Sequence, residues 1–185
     1  MLKDIYKEAE TRMRGAIQAL EDDLAGIRTG RAHPALVEKI QVEYYGIPTP
    51  LVQLASISVP EPRSLLIRPF DAASLRDIER AILASDLGLT PNNDGKAIRL
   101  NLPPLTEERR KDLVKLVNSR VEEGRISVRN VRRDSIRDLR EFEQEKMISE
   151  DDCKRGEEEL QKITDRYIDE INSVGERKEK EILEG

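Results

Sequence analysis

Residues 106–147 read TEERRKDLVKLVNSRVEEGRISVRNVRRDSIRDLREFEQEKM, a run with no proline in it. Leu113, Val117, Val121, Val128, Val131, Leu139 and Phe142 recur in steps of three and four, with Gly124 and Ser135 on the beats between them. Side chains with that period share one face of an α-helix, so the run predicts a long amphipathic helix whose apolar seam needs partner helices, as in a bundle or coiled coil. Pro103 and Pro104 lie just upstream of the helix, where they do not disrupt it. Thr106 is placed to cap the helix, and Glu107 and Glu108 suit its positive end. At 1.5 Å per residue, about 40 residues make a rod of roughly 60 Å, wider than a compact domain of this size. The expected molecule is elongated.

Charge is unevenly shared. Leu105–Arg140 holds eleven Lys/Arg against seven Asp/Glu, whereas the chain from Glu141 on holds eight against sixteen, within a whole-chain net charge of −5. An acidic protein has concentrated its positive charge on one helix. Charged residues make up 37% of the chain and aromatic residues 3%, a mix that suits long solvated helices better than a thick globular core. The regular apolar period argues against disorder. The single cysteine, Cys153, excludes an internal disulfide and fits a reducing, cytoplasmic compartment. The N-terminal MLKDIYKEAETRMRG has no apolar core of a signal peptide, and no stretch approaches the length of a membrane span.

Around the central helix the rest of the chain falls into place. Leu2, Ile5, Ala9, Met13, Ala16 or Ile17, Leu20, Leu24 and Ile27 predict another seamed helix over the first 28 residues, ending at Thr29-Gly30 before His33-Pro34. From Leu36 the period shortens to two. Ile40, Val42 and Tyr44 predict a strand, and residues 54–59 and 65–68 two more, separated by Pro60-Glu61-Pro62. Gly46, Pro48 and Pro50 predict a turn, as does Pro91-Asn92-Asn93-Asp94-Gly95. Asp71 is expected to cap a helix reaching about Asp86, and Ile98, Leu100 and Leu102 to form a last strand. Ser149 caps a final helix with Cys153, Gly156, Leu160, Ile163, Tyr167, Ile171 and Val174 on its seam.

Three seamed helices, none able to bury its stripe alone, predict an α+β fold. It has a three-helix bundle of residues 1–29 and 106–185, into which a small β/α/β lobe, residues 31–104, is inserted. The connectors are 28–31 and 102–105. They make either a hinge through Arg28, Thr29, Gly30 and Arg31, or a stiff joint set by Pro103 and Pro104.

Catalytic chemistry finds little support. His33, the only histidine, sits beside a proline and reads as a turn residue. One histidine and one cysteine cannot build a common zinc site, Glu157-Glu158-Glu159 and Asp151-Asp152 read as solvated helix turns, and no phosphate-binding glycine loop occurs. No cofactor or metal is expected. The arginines of the central helix are the stronger signal. With Arg125 taken as zero and 100° per residue, Arg129 lies at about 40°, Arg132 at about −20°, Arg110 at about −60° and Arg133 at about 80°. The seam averages near −80°, so these arginines run along its flank. Such a row matches phosphates along a nucleic-acid backbone, which guanidinium forks bind bidentately. The bland alternative is pairing within the helix or with the acidic third helix. The acids nearest Arg129, Arg132 and Arg133, namely Asp134 and Asp138, are too few to neutralise them. Without interleaved aromatics, recognition would be by shape and backbone, as for folded RNA. The pattern does not separate RNA, DNA and an acidic protein.

Five stretches go further: IRTGRA at 27–32, VEYYG at 42–46, ASDLGL at 84–89, LPPLTEERR at 102–110 and VRNVRRD at 128–134. In order and spacing they resemble the bacterial ribosome recycling factor family along the whole chain. That resemblance implies an L-shaped, tRNA-like arrangement of bundle and lobe about a two-stranded hinge containing Arg28 and Arg31. It implies a non-catalytic, monomeric translation factor that works after termination: it binds the ribosome and, with elongation factor G and GTP hydrolysis, splits it into subunits. Large-subunit ribosomal RNA would meet the bundle at Arg110, Arg129 and Arg132, with the acidic third helix facing away. Arg125 and Arg133 join this set from the helix geometry alone.

Overall fold

The computed structural model describes residues 1–184. In chain order it contains α1 (Leu2–Ala25), β1 (Gln41–Tyr44), β2 (Ile47–Pro50), a single turn α2 (Leu51–Leu54), β3 (Ala55–Glu61), β4 (Ser64–Pro69), α3 (Leu75–Ala84), β5 (Pro91–Asn93), β6 (Ile98–Asn101), α4 (Glu107–Gln144) and α5 (Glu150–Glu184). The fold is α+β, with long helices and a small β lobe. The chain divides into two compact units. One comprises Met1–Leu24 with Val114–Lys180, the other Ala25–Leu113 with the residues from Glu181 on.

The first unit is a bundle of α1, α4 and α5. Most predicted beats of α4 are its buried face: Val117, Val121, Gly124, Val128, Val131, Ser135 and Leu139 are buried, as is Leu113 just before this unit begins, whereas Phe142 is only half-buried. Ile5, Ala9, Met13, Ile17, Leu20 and Leu24 do the same for α1, and Cys153, Leu160, Ile163, Tyr167, Ile171 and Val174 for α5. Close approaches give the packing directions. A Cβ on Gly124 would lie 3.1 Å from Ile171 and 3.6 Å from Leu20, one on Gly156 would lie 2.8 Å from Leu139 and 3.5 Å from the Tyr6 hydroxyl. Partner numbers therefore fall as α4 rises, in both α1 and α5. Both helices run antiparallel to α4 and parallel to each other. Arg12–Asp134 at 3.0 Å and Arg140–Glu157 at 2.8 Å fasten the rim, as does an Arg166–Glu10 pair. Exposed pairs of this kind contribute about 0.2–1 kcal/mol each, so the seam holds the bundle.

The expected caps are present. The Thr106 hydroxyl accepts from the Arg109 N–H at 3.1 Å, and the Ser149 hydroxyl from the Asp152 N–H at 3.0 Å. Helix α1 ends at Ala25, earlier than its apolar period suggested, although Ile27 remains buried.

In the second unit, β3, β4, β6 and β5 form an antiparallel sheet in that order, and β1 and β2 a separate hairpin. Leu65 and Ile67 of β4, Ile98 and Leu100 of β6, and Ile78 and Ile82 of α3 are buried in one core with Val42 and Leu51. Four local readings are corrected. Ile47–Pro50, expected as a turn, is strand β2, and the turn is Tyr45-Gly46, with φ of 50° and 78°. Pro91–Asn93 is an edge strand, and the turn begins only there, where the Asp94 carboxylate accepts from the Lys96 and Ala97 N–H groups. β3 continues through Pro60 to Glu61, so the separating turn is shorter than Pro60–Pro62. Asp71 caps a 3-10 turn, Ala72–Ser74, through a 3.0 Å bond from the Ala73 N–H; α3 starts after it and ends at Ala84. His33 is the turn residue expected, its Nδ1 accepting from the Ala35 N–H.

Two glycines of the bundle predict opposite outcomes. A Cβ on Gly175 would stand 2.5 Å from Cγ2 of Val121, a β-branched side chain fixed at χ1 in a helix, whereas one on Gly15 would meet nothing within 4 Å. Gly175→Ala should therefore lose about 1–3 kcal/mol despite the gain in helix propensity, and Gly15→Ala should gain about 0.5–1 kcal/mol. Urea unfolding of both variants checks the sign. Burial also pushes the Cys153 thiol up to about 11. It should resist alkylation at pH 8 in the native protein and react at once when unfolded.

Candidate nucleic-acid interface

The arginine flank of α4 is positioned by the seam beside it. Arg125 is half-buried: its Nε donates to the Asn172 side-chain oxygen of α5 at 2.8 Å and its Nη1 to Glu122 at 2.9 Å. Arg132 donates to the Gln161 side-chain oxygen at 3.3 Å, and that amide in turn donates to Asp165. Arg129 stands 3.7 Å from Glu122, which Arg125 already engages. Arg133 is exposed and makes no hydrogen bond or ion pair among the described residues. Asp134, the nearest acid, is taken by Arg12 on one oxygen and by Arg137, at 3.5 Å, on the other.

The acidic helix α5 borders the flank, and where it meets Arg125 and Arg132 it presents the neutral amides Asn172 and Gln161. Its acids engage the row elsewhere, as at Arg140–Glu157. Neutral partners orient a guanidinium without cancelling its charge. The cluster Arg129, Arg132 and Arg133 thus keeps most of its charge available, while Arg125 is the most firmly tied of the predicted residues. Sequence reasoning could not have found these amides, because Gln161 and Asn172 carry no local signal.

Arg110 belongs to the other unit. Its Nη1 donates to the Leu183 carbonyl at 3.0 Å, and its Nε is buried without a hydrogen bond. The segments expected as connectors are tied to the β3–β4 turn. The Ala32 N–H donates to the Pro62 carbonyl at 2.7 Å and the Leu102 N–H to the Arg63 carbonyl at 2.8 Å. Arg28 donates to the Pro103 carbonyl, linking the two segments, and its own Nε is buried without a partner. Burial, then the guanidiniums of Arg109 and Arg63, lower its pKa. Thr29 closes a small turn by accepting from the Arg31 N–H at 3.3 Å.

Among the described residues no group of three or more His, Cys, Asp or Glu side chains is placed to hold a metal ion, and no helix is long and apolar enough to cross a membrane. What remains is the row of arginines along one flank of α4.

The family model for ribosome recycling factor matches residues 20–183. The chain belongs to the ribosome recycling factor family. Family members are translation factors without enzymatic activity of their own. The chain is 55% identical to the ribosome-recycling factor of Roseiflexus castenholzii and 56% identical to that of Syntrophomonas wolfei, over 100% of both chains in each case. Among solved structures, a solution structure of a ribosome recycling factor matches with a TM-score of 0.75 and 49% identity, covering 100% of this chain and 98% of that one. A second match, with a TM-score of 0.67, 49% identity and 99% of both chains covered, comes from models for the T. thermophilus ribosome recycling factor and the E. coli elongation factor G bound to the E. coli post-termination complex.

The different ties of Arg125 and Arg133 can be read in stability. Arg125→Ala strands the Asn172 amide and should cost about 1 kcal/mol, lowering Tm by roughly 2–4 °C. Arg133→Ala should leave Tm unchanged. Thermal unfolding of the two variants at one salt concentration checks this.

Proposed function

We propose that this chain recycles ribosomes after termination: it binds the large subunit through ribosomal RNA and, with elongation factor G and GTP hydrolysis, promotes separation of the subunits. One observation carries the reading. In a chain that matches ribosome recycling factors end to end, the α4 flank keeps Arg132 and Arg133, which no acid pairs, beside Arg125 and Arg129, which share the single carboxylate of Glu122. A row of guanidiniums with excess positive charge displaces counterions from phosphates, a sequence-independent attraction that suits folded RNA. Arg129, Arg132 and Arg133 are the central contacts, with Arg125 held beside them by Asn172 and with Arg110 at the start of the same helix. No covalent step falls to the chain itself, which acts as a monomer in the cytoplasm.

The bundle of 1–29 and 106–185 is the anchor in this reading, and the lobe of 31–104 is the lever. Arg28, Thr29, Gly30, Arg31, Pro103 and Pro104, in connectors 28–31 and 102–105, form the hinge. The bonds from Ala32 to Pro62 and from Leu102 to Arg63 support a hinge whose lobe side is firmly fastened, so that motion concentrates in the few residues beyond them.

Light scattering from post-termination ribosomes mixed with the chain, elongation factor G and GTP tests the function directly. Scattering should fall as subunits separate, and only when all three are present. Shortening both connectors should leave large-subunit binding intact and abolish the fall. Splitting that survives rigid connectors would remove the lever.

A further inference from the structure

The lobe carries a cleft of about 650 Å³ between the β1–β2 hairpin and α3. Its lining unites Glu43, Tyr44 and Tyr45 with Asp71, Asp77 and Arg80, three carboxylates against one guanidinium. The two tyrosines are held in place. Both hydroxyls donate to the same Asp71 oxygen, at 3.3 Å and 3.4 Å, and the rings meet edge to face with centroids 4.6 Å apart. The Asp71 carboxylate is fixed in turn by the Ala73 N–H. The Glu43 and Asp77 carboxylates make no hydrogen bond or ion pair among the described residues.

Tyr45 is the unusual member. It occupies the first of two positions in a hairpin turn with φ of 50°, a left-handed conformation that asparagine or glycine adopts far more readily, and it is 78% exposed. An aromatic ring kept at a strained, solvent-facing turn gains little for the folded lobe beyond its bond to Asp71 and its edge contact with Tyr44. Ile47 and Phe70, the chain neighbours of Gly46 and Asp71, are 66% and 71% exposed. Apolar side chains so open beside a shaped acidic cleft mark a surface that a macromolecule covers.

We propose that this cleft receives an arginine side chain of a protein partner in the post-termination complex, which rests on the function proposed above. A guanidinium stacks on tyrosine faces, and its fork fits carboxylates that have no other partner. The excess of carboxylates repels phosphate, so RNA is the wrong occupant here, opposite in sign to the α4 flank. Ile47 and Phe70 would bury against the backbone flanking that arginine. The chain then holds RNA with one unit and a basic protein segment with the other, each by charge complementarity.

The full chain carrying both Glu43→Gln and Asp77→Asn, and separately Tyr45→Gly, which relaxes the turn, tests this on ribosomes with elongation factor G and GTP. The expected result is splitting slowed about tenfold at limiting concentrations of the chain, with the chain folded and its large-subunit affinity and salt slope unchanged. A photoreactive p-benzoylphenylalanine in place of Tyr45 should cross-link to protein next to an arginine. Wild-type splitting rates in both variants, loss of large-subunit binding, or a cross-link to RNA, to protein lacking an arginine there, or to nothing would each overturn the assignment. Failure of the unaltered chain to split ribosomes would instead overturn the function it rests on.

Discussion

The contact between the small residues of α4 and α5 and the branched side chains opposite them sets everything else in the bundle. Val121 stands where a Cβ on Gly175 would be, and Ile171 fits against Gly124. At such separations the stripes of α1, α4 and α5 interlock, and helices that are marginal alone become one body. The face of α4 turned inward is then fixed, and so is the direction of every residue on its flank. Arg129, Arg132 and Arg133 point where they do because Val128 and Val131 are buried.

Electrostatics completes what packing begins. Partners along the flank could have been acids, as Glu157 is for Arg140. At Arg132 the partner is an amide, which holds the guanidinium by hydrogen bonding and leaves its charge to act outward, whereas Arg125 is held by the Asn172 amide and by Glu122 together. Opposite polarity in the lobe, where Glu43, Asp71 and Asp77 share a cleft, gives the chain two faces of different sign. A factor that performs no chemistry must work by holding and moving other molecules. Segregated charge on stiff elements is how a short chain does so.

Much of this was legible in the sequence where the signal is periodic. The seams of the three long helices repeat over many turns, and the buried residues of α4 coincide with them down to Gly124 and Ser135. The caps at Thr106 and Ser149 are local hydrogen bonds and read equally well. Strands β2 and β5 were missed for one reason. Each is short and carries proline, which resembles a turn until the partner strand is known; Pro50 pairs with Gln41, and Pro91 with Leu100. The row of arginines was visible from spacing, but its division into tied and free members was not. That depends on Asn172 and Gln161, more than 25 residues away along the chain and brought near only by packing.

The central claim is that an arginine on α4 that no acid pairs binds the ribosome through phosphate. The affinity of purified large subunits for the chain, measured across a range of salt concentrations for the unaltered protein and for Arg132→Ala, tests it most directly. The account predicts weaker binding by the variant and a salt slope shallower by about one, with Tm unchanged. Equal slopes and equal affinities for the two proteins would contradict it.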